Sequence, residues 1–280
     1  MPDSVLRALT DDRAFRVLAV GMTDTVRAAI AVQEVHGAAA RICSDLLLAA
    51  TLMRETMAPD LRVQAILQPR GRRSRMVADS HPKGATRGLV QQLADEPDAF
   101  TGPGVLEMMR SLQNGELQRG VVELDDVAGV GVALMRYMLT SEQVVSMVGI
   151  GAHVVGGELI AAGGYLVQPL PGVPRGALMI MAERLEDFRA IDHLIGPRFT
   201  PEELLAEILY GMPFSEVERS PVRYRCCCSQ ERLLLSLATL PRADLEELVA
   251  GGTAVEVRCD YCRRAYELAP EQLRALLTKN

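Results

Sequence analysis

The chain has 280 residues, enough for one large domain plus a smaller one, or for two of moderate size. About 49% of it is apolar and 4% aromatic, with no tryptophan, so its core must be built from Val, Leu, Ile, Ala and Met. The formal charge of −6 argues against a general nucleic-acid binder, which carries a basic surplus. The first twenty residues lack a basic start followed by an apolar run, and nowhere is there a stretch of about 18 uncharged apolar residues. Neither a secretory signal nor a membrane span is expected, and the predicted compartment is the reducing cytoplasm.

Thr23 to His36 reads as a helix, with Thr23 or Asp24 as its cap and Gly37 beyond its end. Ala39 to Met57 reads as a second, with Ile42, Leu46, Ala49, Ala50 and Met53 on one face, stopping before Pro59. Cys43 falls on this apolar pattern and is expected to be a buried, inert thiol. Strands are predicted at Leu61 to Leu67, Met76 to Ser80, Ala85 to Val90, Gly120 to Leu124 and Val145 to Ile150, with a helix near Val132 to Leu139. Glycines at 156, 157, 163 and 164 suggest a hairpin of Glu158–Ala162 with Tyr165–Val167. The mixture lacks a regular β-α-β rhythm, so the expected fold class is α+β.

Pro169, Pro171 and Pro174 mark a predicted boundary, giving an N-terminal core over 1–172. Residues 173–224 are expected to form an amphipathic helical linker. Leu178, Met181, Leu185, Phe188, Ile191 and Ile195 make an apolar stripe, and Thr200-Pro201-Glu202-Glu203 opens a further helix with a capping box. Residues 225–280 are too small and too poor in large aromatics to be stable without a staple.

That staple is written in four cysteines. Cys226-x-Cys228, thirty residues, then Cys259-x-x-Cys262 supply two close-spaced thiol pairs suited to a tetrahedral soft-ligand site, with zinc the usual occupant. Cys259 and Cys262 lie in a predicted hairpin turn between Ala254–Val257 and Ala265–Leu268. In an extended backbone Cys226 and Cys228 face one side and Cys227 the other, so Cys227 is assigned no metal role. The spacing leaves two readings open: a purely structural zinc, or a switch in which exposed, nucleophilic sulfurs meet an oxidant.

Tyr224-Arg225-Cys226-Cys227-Cys228-Ser229-Gln230-Glu231-Arg232, then Leu240-Pro241, then Cys259-Asp260-Tyr261-Cys262 with Tyr266, resembles the 33-kilodalton heat-shock chaperonin family of redox-regulated holdases. The likeness extends upstream to Arg87-Gly88-Leu89-Val90, Thr140-Ser141-Glu142-Gln143 and Ala161 to Gln168. The resemblance implies an N-terminal α+β domain that binds unfolding client proteins without ATP, a metastable helical linker, and a C-terminal zinc domain. It implies that Cys226, Cys228, Cys259 and Cys262 hold zinc when reduced, and that oxidation yields Cys226–Cys228 and Cys259–Cys262 disulfides and expels the metal. A homodimer of the oxidised form is also implied. Cys227 departs from the family pattern, which has a non-cysteine residue there.

Two other classes compete. Arg70-Gly71-Arg72-Arg73-Ser74-Arg75 could contact phosphates, as in a zinc-ribbon nucleic-acid protein, but lacks interleaved aromatics, and no nucleic-acid partner is expected. His36, His81, His153 and His193 are scattered outside any nucleophile or metal motif, so no enzymatic activity is expected.

Overall fold

A computed structural model describes residues 2–188, 191 and 194–277. Its elements run β1 (Ser4–Thr10), β2 (Phe15–Gly21), α1 (Thr23–Gln33), α2 (Gly37–Glu55), β3 (Val63–Pro69), β4 (Arg75–Ser80), β5 (Ala85–Gln91), β6 (Gly104–Ser111), β7 (Leu117–Leu124), α3 (Val130–Thr140), β8 (Met147–Val155) and β9 (Glu158–Pro169). There follow α4 (Arg175–Glu186), α5 (Pro201–Ile208), β10 (Phe214–Pro221), β11 (Arg223–Tyr224), α6 (Gln230–Leu237), α7 (Arg242–Ala250), β12 (Val255–Arg258), β13 (Ala265–Leu268) and α8 (Pro270–Leu277). The fold is α+β, with sheets built almost wholly from antiparallel pairs. The chain divides into two compact units, Met1–Arg225 and Cys226–Asn280.

The first unit contains a five-stranded sheet in the order β10-β1-β2-β9-β8 and a six-stranded sheet in the order β11-β5-β4-β3-β6-β7. Helix α2 is buried on every side from Ile42 to Glu55, and most of that run is apolar, as the centre of a core requires. Leu46, Leu47, Leu48 and Leu52 are all fully buried, in one core with Val20 and Leu166 of one sheet and Ala65, Met76 and Leu106 of the other. Each such leucine contributes roughly 1.5–3 kcal/mol of apolar burial. The opposite face of the five-stranded sheet carries Leu6, Ala8, Phe15, Val17, Tyr165 and Val167. On it rest Met181 and Leu185 of α4, Leu204, Leu205 and Ile208 of α5, and Ile191 and Ile195 between them. Thr200 caps α5, its hydroxyl accepting from the Glu203 amide at 3.2 Å, with Pro201 in the first turn.

Four readings of the sequence change. Helix α1 is not capped by its own Thr23 or Asp24. Its N-cap is Met22, and the Asp3 carboxylate accepts from the Asp24 and Thr25 amides at 3.2 and 2.6 Å. The expected hairpin at 158–167 is one continuous strand, β9. Gly163 and Gly164 make no turn there; a Cβ on Gly163 would overlap the Phe199 ring, and one on Gly164 would overlap Ile150 and the Gly149 carbonyl. The apolar stripe from Leu178 continues past its helix: α4 ends at Glu186, and residues 189, 190, 192 and 193 lie outside the described residues, His193 among them. Residues 173–224 are not wholly helical, because β10 pairs antiparallel with β1 and β11 pairs parallel with β5.

The second unit packs α6, α7 and α8 with the β12–β13 hairpin. Its buried side chains, among the described residues, are Leu245, Cys259, Leu268 and Leu273. Three leucines and a thiol cannot offset the conformational entropy of more than fifty residues. Something other than apolar burial must hold this unit together.

Candidate metal centre

The β12–β13 hairpin sets one half of the centre. Its register runs from Val255↔Leu268 to Arg258↔Ala265, so the connection begins at Cys259. There the Cys259 amide donates to the Arg264 carbonyl at 3.0 Å and the Arg263 amide to the Cys259 carbonyl at 2.7 Å, with Arg263 left-handed at φ 58°. The fold of this loop turns backbone amides toward sulfur: those of Cys262 and Tyr261 donate to Cys259 Sγ, and that of Arg264 to Cys262 Sγ. The other half precedes α6, whose N-cap is Ser229; the serine hydroxyl accepts from the Arg232 amide at 3.3 Å.

These two segments bring the sulfurs of Cys226, Cys228, Cys259 and Cys262 within 4.8 Å of one another. Cys226 and Cys259 are 3.8 Å apart, Cys228 and Cys262 3.4 Å. A tetrahedron with metal–sulfur bonds near 2.3 Å has sulfur–sulfur edges of about 3.8 Å. The donor set and its spacing therefore fit one tetrahedral thiophilic ion. Cys227 is not a member of the cluster; its carbonyl accepts from Arg232 Nη1 at 2.7 Å.

Without a cation, Cys228, Cys259 and Cys262 differ in how readily they give up a proton. Burial pushes the Cys228 thiol up, but hydrogen bonds from Tyr266, Cys262, Cys226 and Cys259 outweigh it and bring it down to about 7. Burial holds Cys262 up, to about 12, and raises Cys259 against the pull of its two amides. Four thiolates cannot share so small a volume without a cation between them. Tyr266, which the sequence marks as part of the signature without giving it a role at the centre, places its phenol oxygen 3.1 Å from Cys228 Sγ. Its place on β13, two residues beyond the loop, was the signal. Arg264 interacts with the Tyr266 phenol and adds positive charge near Cys228 and Cys262.

Several of the other residues singled out in the sequence have structural partners. Cys43 is buried in the α2 core. In the arginine run, Arg70 pairs with Glu123 at 3.0 Å, Arg73 pairs with Asp95 at 2.5 Å, and Arg75 donates to Gln91 at 2.5 Å. His81 contacts the buried Asp79 at 3.0 Å. Among the described residues no helix is long and apolar enough to cross a membrane.

A family model described as "Hsp33 protein" matches residues 3–269. The 33 kDa chaperonin of Symbiobacterium thermophilum is 31% identical over 290 residues, covering 98% of this chain and 96% of that protein. The 33 kDa chaperonin of Syntrophotalea carbinolica is 28% identical over 288 residues, covering 99% and 100%. The crystal structure of a 33 kDa chaperonin (heat shock protein 33 homolog) from Thermotoga maritima superposes with a TM-score of 0.82 at 23% identity, over 100% of this chain and 99% of that one, a likeness of fold. With the family match spanning almost its whole length, the chain belongs to the Hsp33 family, whose curated members here carry the name chaperonin.

Proposed function

We propose that this protein is a redox-regulated holdase chaperone of the cytoplasm, acting without ATP, with the four-cysteine centre as its switch. The observation that carries the reading is the clustering of four sulfurs from two chain segments within 4.8 Å, in a unit whose buried apolar side chains, among the described residues, are otherwise three leucines. Zinc, when bound, supplies the charge that keeps all four sulfurs as thiolates and cross-links the two segments. Structural zinc contributes on the order of 10–16 kcal/mol, as much as the entire stability of a typical domain.

Oxidation acts on the chain's own sulfurs. Two thiolates join as a disulfide and lose two electrons; hydrogen peroxide accepts them with two protons and leaves as two waters. The proposed products are Cys226–Cys228 and Cys259–Cys262. The nearest sulfurs in the structure run between the segments, though all four lie within 4.8 Å, so this pairing exchanges links between the segments for links within each and lets the two halves separate. That separation removes the cross-link, and the second unit loses its order. The apolar surface so uncovered holds unfolding client proteins, and two oxidised copies associate as a homodimer.

The deciding experiment titrates the reduced, zinc-loaded protein with peroxide and follows zinc release, thiol count and suppression of client aggregation on the same samples. All three should move together, with about one zinc lost per chain. Equal suppression before and after oxidation would leave a purely structural zinc as the better reading.

A further inference from the structure

Strand β10 is attached in an unusual way. From Phe214 to Pro221 every residue is exposed except the half-buried Ser220, on both faces of the strand. None of its side chains enters either core of the first unit. Its neighbour β1 is the opposite: Val5 faces the core around α2, Leu6 and Ala8 face the core under α4 and α5, and all three are buried. The five-stranded sheet is thus fully packed up to β1, and β10 is an extension of its ladder beyond both layers. What holds β10 is backbone hydrogen bonding, aided by the Arg7–Glu218 and Arg219–Glu202 ion pairs and a Ser215–Asp11 hydrogen bond.

The ladder has a definite parity. Val222 N–H donates to the Asp3 carbonyl at 3.0 Å, and Asp11 N–H to the Pro213 carbonyl at 2.9 Å. Antiparallel pairs alternate between bonded and non-bonded, so the register assigns the bonded positions to Val5↔Ser220, Arg7↔Glu218 and Leu9↔Ser215. Pro221 sits opposite Ser4, where its missing N–H costs nothing. Solvent-exposed ladder bonds without apolar anchorage belong to the least stable parts of a fold.

We propose that the β1 edge is a client-docking site, and that β10 is a resident stand-in which an extended segment of an unfolded protein replaces by strand addition. The occupant is specified by β10 itself: an eight-residue stretch that binds chiefly through its main chain and places no side chain in either core. Main-chain pairing is indifferent to sequence, which is what a receiver of many unfolded chains requires. The edge opens when order is lost on the C-terminal side of Arg225, so the trigger, though not the site, rests on the function proposed above.

The test uses the full-length chain carrying Ser215→Pro and Ser220→Pro, which removes two ladder donors from β10 and touches no core residue. Hydrogen exchange should show residues 214–221 of the reduced, zinc-loaded variant unprotected. That variant should bind reduced, carboxymethylated α-lactalbumin at least tenfold more tightly than reduced wild type, with the amides of Val5, Arg7 and Leu9 becoming protected on binding. A released β10 with no gain in binding overturns the proposal, and so does a β10 that stays protected despite both prolines. Should the variant misfold, oxidised wild type with the same probe decides: protected Val5, Arg7 and Leu9 beside exchanging 214–221 supports strand replacement, and protected 214–221 refutes it. Failure of peroxide to activate the wild type would sink the switch while leaving the reduced-variant result standing.

Discussion

The phenol oxygen of Tyr266 lies 3.1 Å from the sulfur of Cys228, a contact between the second strand of the hairpin and the first cysteine segment. It ties the two halves of the centre together by a route that does not depend on a metal. Groups that hydrogen-bond to ligating atoms typically change metal affinity by about 10- to 100-fold. Tyr266→Phe is therefore expected to weaken zinc binding about tenfold or more in competition with a chromogenic chelator. Unchanged affinity would show that the contact is incidental.

Replacing Cys262 by serine removes one corner of the tetrahedron. Zinc affinity should collapse, and the amides of β12, β13 and α8 should lose protection from hydrogen exchange. Cys227→Ser is the matched control, because Cys227 stands outside the cluster, and it should retain zinc within about twofold. A variant at 227 that releases its metal would refute the four-residue assignment.

A second buried charge centre governs acid stability. Asp79 on β4 is wholly buried. It accepts from Arg62 at 2.6 Å and from Arg87 at 2.8 and 3.0 Å, and contacts His81 at 3.0 Å. Burial alone would raise this carboxyl, but hydrogen bonds with His81 and Arg62 outweigh it and hold the group well below the usual carboxylate range. With the folded value depressed, the contribution to stability is complete above the unfolded value of about 4 and is lost as the pH falls below it. Asp79→Asn should cost about 3 kcal/mol near neutrality. The gap from wild type should narrow steadily below pH 4 in thermal melts; a gap independent of pH would remove the electrostatic explanation.

Gly84 turns at φ 72° directly beneath Pro221, and a Cβ there would overlap the Pro221 carbonyl. Gly84→Ala should thus displace the joint between β10 and β11 and cost at least about 1 kcal/mol. The amides of Val222 and Arg225, which donate to Asp3 and Thr86, should exchange several-fold faster. Unaltered protection at both would mean that the turn adapts without disturbing the joint.

Much of this was legible in the chain. The clustering of the four cysteines could be read because two-residue alternation and a hairpin turn are local geometry, needing no knowledge of distant partners. Strands β3, β4 and β5 could be read for the same reason. What escaped is long-range. Strands β1 and β2 are buried on both faces, so Ser4–Thr10 and Phe15–Gly21 do not show the alternation that marks a half-buried strand. Strand β6 was missed as well, although its burial does alternate. The glycine pair at 163 and 164 looks like a turn until Phe199 and Ile150 are seen against it. Phe214–Pro221 owes its strand conformation to β1, more than two hundred residues earlier, which no local pattern announces.

The position of Cys43 has a practical corollary. It lies 2% exposed on α2, and burial, with Asp45 nearby, pushes its thiol up to about 12. Of six sulfhydryls, this one will not react with a thiol reagent while the first unit is folded. Any labelling time course on the reduced, demetallated protein should therefore reach a plateau one short of the full count. The final equivalent, arriving late, timestamps the moment the interior itself gives way, an internal clock that separates loosening of the tail from wholesale denaturation.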